Sequence, residues 1–178
     1  MENTTNTTKD ETLSMVNNNL IKSATGNQYV TFSIGESEYG IDIMLVQEMI
    51  RYSKPTTVYN SNPAIKGVTN FRGRVIPVID MHRKFNLPEK EFDEYTVVIV
   101  IEVNGKNMGM IVDRVSDIMS FKDEDLQPVD QEFAEDIKTR HVQSMAKADD
   151  RIIMLLDPEK ILTTNELKEI NQMGENPM

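Results

Sequence analysis

The sequence predicts a mainly β protein that contains two copies of a small β unit. Apolar side chains alternate over residues 28–34, and a turn at residues 35–37 leads into a strand that ends near Ile43. A second hairpin is predicted where an apolar run over residues 97–103 meets Asn104-Gly105, the preferred dipeptide of a type I′ turn. These two hairpins, and a repeat that relates them, carry the prediction.

The repeat aligns the two hairpins at an offset of 69 residues, which pairs Gly40 with Gly109 and matches their neighbours in character. Farther along the chain, residues 74–80 match residues 151–157 at an offset of 77. The change of offset indicates a loop insertion in the second half. Two matching registers joined by one gap are typical of a duplicated structural unit.

The alternation and the repeat also predict the core. We expect mostly buried side chains at Val30, Phe32, Ile34, Ile43, Val75, Ile79, Ile99, Ile101, Val112, Ile153 and Leu155. The unbroken apolar run at residues 97–101 predicts a strand that is buried on both faces.

Short helices are predicted between the matching strands. Over residues 45–50 the spacing places Val46 and Met49 on one face of a helix, and residues 115–119 repeat this spacing. Asn62-Pro63 is expected to open a helical turn that Gly67 closes.

A C-terminal helix is predicted from Asp157-Pro158, which supplies an N-cap and a first-turn proline, and helical structure is expected to resume near Leu167 and Ile170. We expect a disordered polar arm over residues 1–27, a folded domain over residues 28–165, and a helical to frayed tail over residues 166–178. The two halves of the domain are expected near residues 28–90 and 95–160, with strands that can cross between them.

Composition narrows the functional class. The chain has 178 residues, no cysteine and a net charge of −10, so thiol chemistry is excluded and a general affinity for phosphate backbones is disfavoured. Neither a secretory signal nor an apolar stretch of membrane-spanning length is present, so we expect a cytoplasmic protein.

The residues that catalysis requires are sparse. His82 and His141 are the only histidines, and we interpret both as surface residues in polar surroundings. No metal-binding, phosphate-binding or nucleophile motif is found. The sequence therefore predicts a non-enzymatic protein without a cofactor or a bound metal.

One segment is basic within this acidic chain. Residues 51–84 hold seven basic residues against one acidic residue. An RNA-binding small barrel uses such a patch together with stacking aromatics, a role that Phe71 beside Arg72 can fill. A solvated rim and a docking surface for an acidic protein are the other two interpretations.

The repeat separates structural residues from candidates for recognition. Asn70 and Gly73 have good structural roles in a turn before the strand that begins at Arg74. Arg72 has no such role, and its place in the second half is taken by Asp149. Glu48 is matched by the acid Asp117, so a structural role is as plausible for it as recognition.

These residues resemble the CheW family of bacterial chemotaxis coupling proteins. The resemblance covers about residues 28–162, and its most specific part is the segment from residue 67 to residue 80 with Asn-Phe-Arg-Gly inside it. It implies two five-stranded SH3-like barrels over a shared hydrophobic core. It also implies a non-catalytic scaffold that joins the cytoplasmic tips of chemoreceptors to the regulatory domain of the histidine kinase CheA.

The resemblance further implies where receptors bind. Receptor contacts in the family concentrate near the short helix predicted after the first hairpin and near the Asn-x-Arg-Gly segment. The residues of this chain that match are Val46, Glu48, Asn70, Arg72 and Gly73. Phe71 stands where the family usually has Leu or Ile, and no short motif marks the residues that contact the kinase.

Overall fold

A computed structural model of the chain describes residues 28–59, 62–129 and 141–161, together with Leu13 and Lys168. Within these residues the fold is mainly β. The strands are β1 (Gln28–Ile34), β2 (Ser37–Asp42), β3 (Val46–Arg51), β4 (Ile65–Phe71), β5 (Arg74–Asp80), β6 (Val97–Val103), β7 (Lys106–Val112), β8 (Arg114–Ser120), β9 (Leu126–Pro128), β10 (Val142–Ala148) and β11 (Arg151–Leu156). Two short helices follow strands, α1 (Met81–Lys84) after β5 and α2 (Pro158–Ile161) after β11.

The strands form two sheets, which correspond to the two SH3-like barrels. Barrel 1 has the strand order β3-β6-β7-β5-β4, and barrel 2 has the order β8-β1-β2-β11-β10-β9. Strands cross between the two halves of the sequence, because β6 and β7 complete barrel 1 whereas β1 and β2 complete barrel 2. Each barrel is thus built from both halves of the chain.

The duplication is confirmed by the register of the strands. In barrel 1, Val78 of β5 pairs in parallel with Gly109 of β7; in barrel 2, Leu155 of β11 pairs in the same way with Gly40 of β2. Val78 and Leu155 are related by the offset of 77, and Gly40 and Gly109 are related by the offset of 69. The two parallel pairs are therefore equivalent positions of the repeat. The strand orders of the two barrels correspond under the same offsets, apart from the added β9.

Three apolar clusters hold this arrangement together. One lies inside barrel 1, one lies inside barrel 2, and the largest, the shared core, draws on both barrels. Strand β6 shows how this works, because Val98 and Val100 face the interior of barrel 1 while Ile99 and Ile101 face the shared core. The prediction that this strand is buried on both faces is confirmed.

The predicted core is correct except at Val75. Every other residue expected to be buried is buried, whereas Val75 is 52% exposed. It lies near the start of β5, opposite Asn70, where the hairpin projects beyond the apolar interior. Its counterpart in barrel 2, Ile152, is exposed as well.

The helix predicted over residues 45–50 is wrong. A short 3-10 turn over Ile43–Leu45 is followed directly by β3, and residues 114–120 likewise form a strand, β8. The register of β3 against β6 shifts between Val46 and Glu48, so Val46 and Met49 both reach the shared core although they are three residues apart. A β-bulge therefore produces the spacing that resembles one turn of helix.

The turn predicted at Asn62-Pro63 is present, because the Ile65 backbone N–H donates a hydrogen bond of 3.2 Å to the Asn62 carbonyl oxygen, but its predicted closure at Gly67 is wrong. The side chain of Asn62 accepts a hydrogen bond of 2.9 Å from the backbone N–H of Ala64, and β4 begins at the next residue. The helix predicted at Asp157-Pro158 is confirmed, because Asp157 accepts a hydrogen bond of 3.0 Å from the Glu159 backbone N–H at the start of α2.

Several predictions fall outside the described residues. These are the polar arm over residues 1–27, apart from Leu13, and the C-terminal tail, apart from Lys168, which is helical. In the described part of the chain, no helix is long and apolar enough to span a membrane.

Candidate protein-interaction surface

The turn between β4 and β5 presents the most specific residues of the sequence. Arg72 and Gly73 form this turn with positive φ angles of 50° and 80°. Glycine adopts such angles at little cost, and Asn70 fixes the turn by accepting a hydrogen bond of 3.0 Å from the Gly73 backbone N–H. Asn70 and Gly73 therefore shape the loop, and Arg72 is presented by it.

The Arg72 side chain is held on two sides. Its guanidinium carbon lies 4.8 Å from the centroid of the Phe71 ring, and Nη2 lies 3.7 Å from Oε2 of Glu48 on β3. The side chains of Arg72 and Glu48 remain 64% and 39% exposed. The contact joins the turn to an edge strand of barrel 1 and leaves charged groups on the surface.

Phe71 provides the base for this arrangement. Its ring is buried within the interior of barrel 1, so it is an anchored platform rather than an exposed aromatic. A cation stacked over such a ring gains about 0.5–1 kcal/mol at an exposed site. The Phe71 ring, where the family usually has Leu or Ile, thus provides an aromatic face on which the Arg72 guanidinium rests.

The five residues predicted to contact receptors do not all lie on the surface. Glu48, Asn70, Arg72 and Gly73 come together around the turn, whereas Val46 is 8% exposed and packs into the shared core. We call these four residues the turn surface. Val46 supports it from the interior of the protein.

Two exposed apolar residues on nearby elements were not among the predicted site residues. Val75 lies directly across the β4–β5 pair from Asn70, and Met44, 59% exposed, lies in the 3-10 turn that leads into β3. The apolar character of both residues predicts burial. Only their places at the ends of strands could have indicated exposure.

The equivalent turn in barrel 2 has different chemistry. Asp149 takes the place of Arg72 and has nearly the same φ, 55°, while Asp117 takes the place of Glu48. Two acids cannot form the ion pair found in barrel 1. The fold therefore requires the turn but not the Arg72–Glu48 contact.

Comparison with known proteins places this geometry in a family. The sequence model of the CheW-like domain family matches residues 28–166 of this chain. The chain belongs to the CheW-like family. A chemotaxis protein CheW of Klebsiella aerogenes is 36% identical over 85% of this chain and 90% of that protein. A chemotaxis protein CheW of Bacillus subtilis is 30% identical over 78% of this chain and 88% of that protein.

A solved structure agrees with this CheW-like assignment. The scaffolding protein TtCheW of Thermoanaerobacter tengcongensis matches with a TM-score of 0.72 and 28% identity, covering 81% of this chain and 92% of that protein. The comparisons support a chemotaxis coupling role and give no support to the RNA-binding alternative.

Side-chain contacts also weigh against RNA binding by this CheW-like domain. Arg83 lies 3.1 Å from Glu89 and 3.7 Å from Asp80, and Lys66 lies over the ring of Phe92. Phe71, the proposed stacking residue, is buried. Base stacking needs exposed aromatic faces, so the basic segment fits protein docking better than nucleic-acid binding.

The interpretation of both histidines as surface residues is wrong. His82 is 7% exposed, with Nε2 2.7 Å from Oδ1 of Asp113 and Nδ1 3.0 Å from the carbonyl oxygen of Pro88. His141 is 5% exposed, stacks on Phe85, and has Nδ1 2.7 Å from the carbonyl oxygen of Lys160. Both histidines are packed structural residues of the CheW-like domain.

Other groups that could carry chemistry are similarly constrained. Burial raises the pKa of the Tyr29, Tyr39 and Tyr52 phenols, so these groups stay protonated at neutral pH. Among the described residues of the CheW-like domain, no cluster of three or more His, Cys, Asp or Glu side chains could hold a metal ion.

Proposed function

We propose that this chain is a non-catalytic adaptor that couples the cytoplasmic tips of chemoreceptors to the regulatory domain of the histidine kinase CheA. The relatives named above are chemotaxis proteins, and the matched solved structure is named a scaffolding protein. The proposal places the protein in the cytoplasm at receptor arrays. The observation that carries it is the turn surface, with an exposed, oriented arginine that the fold itself does not require.

The turn surface binds the receptor. Arg72 is oriented by the Phe71 ring and by Glu48, so little side-chain entropy is lost when a partner binds. A guanidinium can form two parallel hydrogen bonds with a carboxylate, which suits an acidic group on the receptor tip. Glu48 then either shares Arg72 with the receptor carboxylate or pairs with a receptor cation.

A non-catalytic role is supported by the use of the histidines. Each is buried with a ring nitrogen at hydrogen-bonding distance from a protein acceptor. The kinase-binding residues are not assigned. The turn surface occupies only one part of barrel 1, so CheA can bind elsewhere on the protein while the receptor is bound.

Arg72→Ala should weaken binding of a receptor cytoplasmic fragment by about 2 kcal/mol, or roughly 30-fold in Kd, because an oriented guanidinium is lost from the contact. The free energy of unfolding should fall by no more than about 1 kcal/mol, since Arg72 contributes an exposed ion pair and one cation–π contact. Alanine meets the same left-handed backbone cost as arginine. Receptor titration and denaturant unfolding of the same preparation measure both quantities.

The matched control is Asp149→Ala, which removes a charged side chain at the equivalent turn of barrel 2 with nearly the same φ. Its receptor affinity should stay at the wild-type level. Arg72→Lys should recover only part of the affinity, since an ammonium group lacks the planar fork. Wild-type affinity in a folded Arg72→Ala protein would contradict the receptor assignment, and salt-sensitive RNA binding without receptor binding would restore the alternative.

A further inference from the structure

Both ring nitrogens of the buried His82 face hydrogen-bond acceptors. Nδ1 lies 3.0 Å from the carbonyl oxygen of Pro88, and Nε2 lies 2.7 Å from Oδ1 of Asp113. A carbonyl oxygen can only accept, so Nδ1 carries the hydrogen of the first contact. A neutral imidazole has a single N–H, so the hydrogen of the second contact comes either from a second ring N–H or from a protonated Asp113.

The surroundings of Asp113 favour an ionised carboxylate. Its Oδ2 accepts a hydrogen bond of 2.8 Å from the backbone N–H of Gly35, and Nζ of Lys90 lies 3.8 Å from the same oxygen. A hydrogen-bond donor and a cation at one oxygen both stabilise negative charge on the carboxyl group. The second hydrogen therefore belongs on Nε2 of His82, and the ring is a cation.

The contacts of His82 meet where the two barrels join. Asp113 lies between β7 of barrel 1 and β8 of barrel 2, and Gly35 lies in the turn between β1 and β2 of barrel 2. Pro88 belongs to residues 85–96, which run from α1 to β6 and which we call the connector. The charged ring thus joins the connector to the junction of the barrels.

We propose that His82 is a pH-sensitive latch between the connector and the junction of the barrels. With hydrogens on both ring nitrogens, it donates to Pro88 and to Asp113. After the loss of one proton, a nitrogen lone pair faces an acceptor oxygen, so one of the two contacts opens. The latch is therefore closed at acidic pH and opens as the pH rises through the range in which histidine exchanges its proton, about pH 5–8.

Charged groups around the ring act on this proton. The charged residues that flank the ring or its partners are Asp80, Arg83, Lys84, Glu89, Lys90 and Asp113. Oδ1 of Asp80 accepts a hydrogen bond of 3.0 Å from the His82 backbone N–H, and its Oδ2 lies 3.7 Å from Nε of Arg83. The acids favour the charged ring and the bases oppose it. Because Asp113 contacts the ring directly, the attraction of the acids prevails.

NMR of the ring nitrogens in the full-length wild-type chain tests the charge of the ring. At about pH 6 both nitrogens of His82 should carry a hydrogen, and at about pH 8.5 one of them should have lost it. The same number of ring hydrogens at both pH values would overturn the proposal. This spectrum needs no variant, so it decides the charge of the ring even where a substitution prevents folding.

Hydrogen exchange identifies the contact that opens. The backbone N–H of Gly35 donates to Asp113, and the backbone N–H of Leu87 donates a hydrogen bond of 2.8 Å to the carbonyl oxygen of His82. Relative to its intrinsic rate, one of these amides should exchange about fivefold faster at about pH 8.5 than at about pH 6, the factor expected for one lost hydrogen bond. Gly35 reports on the Asp113 contact, and Leu87 reports on the Pro88 contact.

The second buried histidine provides the matched control. His82→Gln removes the titrating group and should abolish the pH dependence of exchange, whereas His141→Gln should retain it. A pH dependence that persists in His82→Gln would assign the effect to another group. Exchange of Gly35 and Leu87 that does not change with pH in the wild type would show that no latch opens. Either result would overturn the proposal.

Discussion

Replacing Asp113 by alanine should destabilise the fold by about 2–6 kcal/mol, because two hydrogen-bonding groups inside the protein each lose their partner at a cost of about 1–3 kcal/mol. Asp113 is 9% exposed. Its carboxylate lies 2.7 Å from Nε2 of His82 and accepts a hydrogen bond of 2.8 Å from the backbone N–H of Gly35. The Nζ atom of Lys90 lies 3.8 Å from Oδ2 of Asp113. Removal of the carboxylate leaves a buried imidazole and a backbone donor without their acceptor.

The loss should be large because Asp113 connects distant parts of the chain. Gly35 lies in the turn between β1 and β2 of barrel 2, while His82 lies on α1, which follows β5 of barrel 1. The backbone N–H of Asp113 also donates a hydrogen bond of 2.9 Å to the carbonyl oxygen of Ser33. One residue thus fixes a turn of one barrel against a helix that follows the other.

Denaturant unfolding followed by circular dichroism measures this effect, and Asp149→Ala is the control for loss of an exposed acid. Asp113→Asn should lose less stability than Asp113→Ala, because the amide oxygen can still accept from Gly35. A double-mutant cycle with His82→Ala isolates the coupling between the two side chains. A loss below about 1 kcal/mol for Asp113→Ala would contradict the structural role proposed for this carboxylate.

The role of His82 was missed because its partners are not local in the sequence. Its neighbours Arg83 and Lys84 are basic and are typical of a solvated surface. The His82 ring is buried because its Nδ1 contacts the carbonyl oxygen of Pro88 and its Nε2 contacts Asp113, which lies 31 positions later in the sequence. A spacing pattern within one segment carries no information about such a contact.

The repeat was predictable because it depends on local alternation and on turn residues. Each hairpin repeats the same sequence of apolar positions, and Asn104-Gly105 marks one turn directly. The sequence could not predict which barrel each hairpin joins, because a hairpin shows the same alternation in either barrel. In the structure the first hairpin, β1–β2, belongs to barrel 2, and the second, β6–β7, belongs to barrel 1. The predicted helix over residues 45–50 failed for a related reason, because a bulge between Val46 and Glu48 gives a strand helix-like spacing.

The candidate surface was only partly predictable. Asn70, Arg72 and Gly73 lie close in sequence, and the repeat alone distinguished Arg72 from its counterpart. The contact between Arg72 and Glu48 spans 24 positions and depends on how β3 approaches the β4–β5 turn. The burial of Val46 likewise depends on the bulge in β3, so the sequence could not separate the residue beneath the surface from those on it.

Gly67→Ala should destabilise the protein by about 3 kcal/mol, the upper end of the usual cost of overpacking, because a backbone contact leaves no room for a β-carbon. A Cβ at this position would overlap the carbonyl oxygen of Thr56 and lie 2.9 Å from its carbonyl carbon. Thr56 and Val68 exchange two backbone hydrogen bonds of 2.8 Å each. Moving the Thr56 backbone away would break both bonds, at a net cost of about 0.5–1.5 kcal/mol each, before any strain is added.

The matched control for Gly67→Ala is Gly40→Ala in β2. There the nearest atom to a new Cβ is Cδ2 of Leu155 at 2.8 Å, which belongs to a flexible side chain and can move by a small rotation. Thermal and denaturant unfolding should therefore show a clearly smaller loss for Gly40→Ala than for Gly67→Ala. Equal losses in the two variants would mean that the Thr56 backbone yields as easily as a leucine side chain, which would contradict a rigid Thr56–Val68 bridge. Because β4 continues from Gly67 to Asn70, loosening of that bridge should also weaken receptor binding in Gly67→Ala, whereas Gly40→Ala should bind receptor fragments at the wild-type level.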